Sequence, residues 1–108
     1  MATDKTTTIA LLNDLARTTL TGCRVVLTQG IAALDNLDDI IAAVQSFSDF
    51  TPSNDPYGEH EFGAVQFEGQ TVFWKIDYYD LDLLMLSPDP ADPSVTCRVL
   101  TVMLAEEY

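Results

Sequence analysis

Apolar positions near the start of the chain recur every three or four residues. Ile9, Leu12, Leu15, Ala16 and Leu20 fall on one side of a helical wheel, which predicts an amphipathic helix over residues 6–20. Asp4 can cap it, and Arg17 lies in its last turn, where a cation suits the helix dipole. Gly22 ends the run, and the pattern changes. Cys23-Arg24-Val25-Val26-Leu27-Thr28-Gln29 is short, rich in β-branched residues and closed by Gly30, so it reads as a strand. From Asp35 or Asn36, either able to cap, the helical period returns with Leu37, Ile40, Ile41, Val44 and Phe47 on one stripe.

Residues 49–58 hold Pro52, Pro56, Gly58 and several turn formers and must be a loop. Two strand-like runs follow, residues 62–67 and 71–79, around Glu68-Gly69, which predicts a β-hairpin. A two-residue turn there sets Val65 opposite Val72 and puts Val72, Trp74, Ile76 and Tyr78 on one face, the expected core face. Residues 80–86 continue apolar but acidic. Ser87-Pro88-Asp89-Pro90-Ala91-Asp92-Pro93 is broken by prolines and cannot continue a sheet. The last segment reads two ways. Asp92-Pro93 makes a cap and first-turn pair, with Val95, Val99, Val102 and Met103 at helical spacing. Val95, Thr96, Val99, Thr101 and Val102 are β-branched and suit a strand. The cap and the spacing favour a helix. One α+β domain over residues 1–108 is therefore expected, a short antiparallel sheet including a β-hairpin with two or three helices packed on it.

Charge changes the picture most. The chain has 17 acids against 5 bases, a formal net charge of -12, whereas a small soluble domain usually carries about 2–8 in magnitude. Residues 1–34 balance Lys5, Arg17 and Arg24 against Asp4 and Asp14, so the excess lies between Asp35 and Asp92, where Lys75 is the single base. Direct nucleic-acid binding is excluded by so few, unclustered bases. At 47% hydrophobic residues the chain can bury a core. It has no apolar run of membrane-spanning length and no leader pattern, so a cytoplasmic protein without membrane contact is expected.

Chemical candidates are few. Glu59-His60-Glu61 places the only histidine between two carboxylates, but neighbours in an extended segment point apart, and one histidine without a spaced partner falls short of the usual zinc sets. Asp77, Asp80 and Asp82 alternate without the glycine-bearing spacing of a calcium loop. Cys23 and Cys97 sit in apolar runs without metal or redox spacing and read as buried thiols. Phosphate-cradling glycine loops and nucleophile elbows are missing, so no metal, cofactor or catalytic residue is expected. If the chain were nonetheless a small enzyme, Glu59, His60 and Asp77 would be its working groups.

Several strings carry a resemblance: Asn54-Asp55-Pro56-Tyr57-Gly58-Glu59-His60-Glu61-Phe62-Gly63, Trp74-Lys75-Ile76-Asp77-Tyr78-Tyr79-Asp80, the proline-punctuated 87–93 and the ending Met103-Leu104-Ala105-Glu106-Glu107-Tyr108. Together they resemble a small alphaproteobacterial family described only as a domain of unknown function. The resemblance transfers no catalytic residue; the family's association with plasmids implies a role in conflict between mobile elements and hosts.

The charge suggests how such a role would work. Duplex DNA carries one charge per roughly 1.7 Å, so a domain on the order of 30 Å long matches about 18 phosphates. The central acids approach that density if most share a face. The expected function is thus an acidic inhibitor, of anti-CRISPR or antirestriction type, that blocks a partner protein's basic nucleic-acid-binding surface through Asp55, Glu59, Glu61, Asp77, Asp80, Asp82 and Asp89. The alternative is a regulatory or assembly module, dimerising as a homodimer through a sheet edge.

Overall fold

In the computed structural model, which describes residues 2–108 and side chains from Lys5 onward, the N-terminal period becomes α1 (Ala2–Thr19). Asp4 lies within the helix, and its side chain, the expected cap, is outside the described residues. The buried stripe of α1 is Ile9, Ala10, Asn13, Ala16 and Arg17, while Leu11 and Leu15 face solvent. This corrects the apolar stripe read from spacing. Asn13 and Arg17 win inward positions because carbonyls and side chains of other elements meet their polar atoms.

β1 (Cys23–Leu27) forms as expected. Gly30 does not end it but lies inside a one-turn helix, α2 (Gln29–Ala32), whose Ile31 is fully buried. In α3 (Leu37–Gln45), Asp38 and Asp39 occupy the first turn, where the dipole favours them. Asn36 holds the cap position without a side-chain cap bond. Its amide donates instead to Glu68 Oε2 at 2.9 Å, fastening the start of α3 to the hairpin.

That hairpin is β2 (Phe62–Phe67) and β3 (Gln70–Tyr79). Glu68 and Gly69 both have positive φ, 49° and 81°, the two-residue turn whose twist matches the strands. Val65 faces Val72 as the turn length dictates.

The C-terminal segment corrects the expected helix. Asp92 does cap, accepting from the Ser94 N–H at 2.9 Å, but the helix is one 3-10 turn, Pro93–Val95. The chain then runs as β4 (Cys97–Leu104), with Arg98, Leu100 and Val102 alternately buried. The β-branched residues win because β4 fills the sheet interior, pairing on both edges, which a helix cannot do. A second 3-10 turn, Ala105–Glu107, follows.

The four strands form one sheet in the order β1-β4-β3-β2. β3 is antiparallel to β2 and β4, but β1 is parallel to β4. The sheet is therefore mixed rather than wholly antiparallel. A parallel pair needs a long crossover, and here the helices, the loop and the hairpin supply it. Ile31, Ile40 and Val44 of the helices pack on Val72, Trp74, Ile76, Leu100 and Val102 of one sheet face. Each such burial stabilises by about 1.5–3 kcal/mol. The result is an α+β fold, and among the described residues no helix is long and apolar enough to cross a membrane.

Candidate functional site

The most connected polar cluster lies where α1 meets the sheet. Asn13, fully buried, accepts from Arg98 Nε at 2.8 Å and donates to the Glu59 carbonyl at 2.9 Å and the Tyr78 hydroxyl at 2.8 Å. The Tyr78 hydroxyl donates in turn to the Glu59 carboxylate at 2.8 Å. Burial pushes the Tyr78 phenol well above its ordinary range, so it acts as a neutral donor. Arg98 completes its set on the Pro90 carbonyl, and burial lowers its pKa.

One helical turn on, Arg17 donates to the carbonyls of Val44 and Gln45, both at 3.0 Å, and its guanidinium lies 5.0 Å over the Trp74 ring. It also pairs with Asp14 at 3.2 Å. Asp14 meets His60 Nδ1 at 3.0 Å, while the other ring nitrogen faces Asp55 at 3.6 Å. The imidazole stacks on Phe50, centroids 3.9 Å apart and planes 3° from parallel. A general base needs a nitrogen aimed at substrate; in His60 a carboxylate stands at each. Sequence spacing missed Asn13, Arg17 and Arg98 because helical periodicity weighs apolar residues and is blind to long-range polar partners.

Glu59 and Asp77 do not converge. Glu59 is bound to Tyr78 on the helix-covered face of the sheet. Asp77, one residue from Tyr78 in β3, points to the opposite face, where Lys75 holds it at 2.9 Å. Glu61 and Asp77 do share an open groove of about 320 Å³, lined also by Tyr57, Phe62, Lys75 and Tyr108. Burial, reinforced by Glu59 and Asp55, raises the Glu61 pKa.

The acidic candidates therefore divide. Asp55, only 8% exposed, accepts from the His60 N–H at 3.2 Å and turns inward. Asp89 pairs with Lys5 at 3.2 Å. Asp80 accepts from the Leu84 N–H at 3.0 Å, and Asp82 is exposed. Asp80 and Asp82 lie beyond one end of β3, whereas Glu68 lies at the other with Asp35, Asp38 and Asp39 close by through the Asn36 bond. A ten-residue strand spans about 33 Å. Glu68 and the pair Asp80 and Asp82 thus stand about a strand's length apart.

Between Asp80 and Ser87 the chain makes a tight projection. The Asp80 N–H donates to the Met85 carbonyl at 2.8 Å and the Ser87 N–H to the Tyr78 carbonyl at 3.0 Å, while Leu83 adopts φ of 61°, uncommon for a side-chain-bearing residue. Leu84, Met85 and Leu86 are 82%, 71% and 77% exposed, and Leu81 is exposed as well. The signal was present in the sequence as consecutive apolar residues running into a proline-rich stretch. Their outward direction was not.

A family described as "Protein of unknown function (DUF3768)" matches residues 27–107. The chain belongs to this family. Neither a curated protein nor a solved structure matches the chain. The DUF3768 match starts at the last residue of β1, so it takes in α2, α3, the hairpin, the apolar projection, β4 and every acidic candidate, while α1 precedes it.

Within the DUF3768 region and before it, the described residues place no group of three or more His, Cys, Asp or Glu side chains to hold a metal ion. Cys23 and Cys97, expected buried, are free and half-buried, Cys23 lying on the edge strand β1. Burial still raises the Cys23 thiol pKa.

Proposed function

We propose that the protein is a non-enzymatic interaction module that docks on a basic surface of another protein through the projection between β3 and β4. The observation that carries this reading is the exposed set Leu81, Leu84, Met85 and Leu86 beside Asp80 and Asp82. Contiguous exposed apolar side chains mark interaction surfaces. Magnitudes assign the roles. An exposed ion pair contributes about 0.2–1 kcal/mol, whereas burying one leucine or methionine contributes about 1.5–3 kcal/mol. The apolar tip supplies affinity, and the acids supply steering and partner choice.

A net charge of -12 favours a basic partner, and the most basic protein surfaces are those that bind nucleic acid. Blocking such a surface in a host defence protein, in the manner of anti-CRISPR or antirestriction inhibitors, is the specific form of this reading. The distance between Glu68 and the pair Asp80 and Asp82 favours a local plug over a continuous imitation of the DNA backbone.

The test is capture from nuclease-treated host extract with the wild type, a Leu84→Ser/Met85→Ser variant and an Asp80→Asn/Asp82→Asn variant. The wild type should retain a nucleic-acid-binding protein, displaced by added DNA or RNA and weakened by salt. The apolar variant should lose it, and the acidic variant should slow association. A partner held equally by all three proteins would move the contact elsewhere and overturn the reading.

A further inference from the structure

β1 is an edge strand. The backbone shows which of its groups are unused: the Thr28 N–H donates to the Val102 carbonyl at 3.1 Å. With Thr28 facing β4, alternation directs the N–H and C=O groups of Arg24 and Val26 to β4, and those of Cys23, Val25 and Leu27 outward. Edge strands are ordinarily blunted by proline, a bulge or charge. β2, the other edge, has Glu61 before it and Glu68 after it. β1 has no proline and no acid, and Val25 and Val26 are 39% and 44% exposed.

Arg24 adds an independent observation. Lys5, Arg17 and Lys75 each pair with an aspartate, and Arg98 donates to Asn13. Among the described residues Arg24 is the one basic side chain with neither an ion pair nor a hydrogen bond, and it is exposed, in a protein of 17 acids. Acids stand at the far end of the same strand. Glu107 accepts from Thr28 Oγ1 at 2.6 Å and the Gly30 N–H at 3.0 Å, with Glu106 exposed beside it.

We infer that two copies of this chain pair antiparallel along β1 into one continuous sheet, with Arg24 of each set against the Glu106-Glu107 turn of the other. The register that sets Arg24 against this acidic turn pairs the outward groups of Val25 and Leu27 and leaves those of Cys23 at its margin. Val26 lies on the twofold axis against Val26 of the partner subunit. Val25 and Leu27 of the partner subunit exchange backbone hydrogen bonds through their outward groups. Arg24 stands across from Thr28 of the partner subunit, whose hydroxyl already holds Glu107. The occupant is a second copy because the edge complements itself: the free cation at one end of β1 meets the acids at the other, twice over. The contact also uses the part of the chain with balanced charge, where like copies repel least.

Sedimentation velocity over a concentration series tests this with the wild type, Arg24→Glu and Val25→Pro. Arg24 is exposed, and the Val25 N–H is outside the β1–β4 ladder, so both variants should fold, checked by circular dichroism and tryptophan fluorescence. The wild type should form a reversible dimer. Arg24→Glu should weaken it by about tenfold or more by turning two attractions into repulsions, and Val25→Pro should leave a folded monomer. A wild type that stays monomeric, or a dimer untouched by both changes, would overturn the inference.

Discussion

Arg98 Nε donates to Asn13 Oδ1 at 2.8 Å, joining an interior strand to a helix 85 residues away in sequence. Asn13 has no exposed surface, and its remaining bonds go to Glu59 and Tyr78. Asn13→Ala removes partners from all three at once. Each buried group left unsatisfied costs about 1–3 kcal/mol, so the variant should lose on the order of 3 kcal/mol or more by chemical denaturation. A loss within 0.5 kcal/mol, about that of an ordinary surface change, would mean water replaces the amide.

Gly63 packs against the Trp74 indole. A Cβ built at Gly63 would lie 2.5 Å from Trp74 Nε1, and the indole, fully buried among Ile40, Val44 and Ile76, has no room to retreat. Gly63→Ala should cost about 1–3 kcal/mol by overpacking and shift the tryptophan emission. Ile40→Ala should cost about 2–5 kcal/mol through the cavity it leaves, and Ile41→Ala less, since Ile41 is only half-buried. Unfolding midpoints of the three variants check the order.

Glu107 ties the C-terminal turn to α2. Hydrogen bonds from Thr28, Leu104 and Gly30 hold its carboxyl below the ordinary value of 4.5. A carboxyl lowered on folding contributes stability that is fully present above its unfolded value and is lost as pH falls through the folded value. Wild-type stability should therefore drop on acidification from pH 4.5 downward more steeply than that of Glu107→Gln. Equal slopes for the two proteins would show that the bonds exert no preference for the charged form.

Leu84, Met85 and Leu86 make few contacts that folding depends on. Leu84→Ser/Met85→Ser should leave the thermal midpoint nearly unchanged, with a stability change within about 0.5 kcal/mol, while raising solubility and removing partner binding. A clear fall in the midpoint would show that the projection packs against the fold.

Local patterns decided much of this protein from sequence alone. The turn at Glu68-Gly69 and the alternation of Val72, Trp74 and Ile76 determined the hairpin, its register and its buried face, because neighbouring residues carry all the geometry involved. The stripe Ile40, Ile41, Val44 determined α3 in the same way. Tertiary structure alone decided the rest. The last segment became β4 because an interior slot between β1 and β3 outweighed a helical spacing that its β-branched residues opposed. Asn13 and Arg17 displaced Leu15 from the buried side of α1 because their partners come from distant elements. Glu68 and Asp80 separated for a related reason: β3 carries them to opposite ends of the sheet, and a count of charge along the chain contains no distance across the fold.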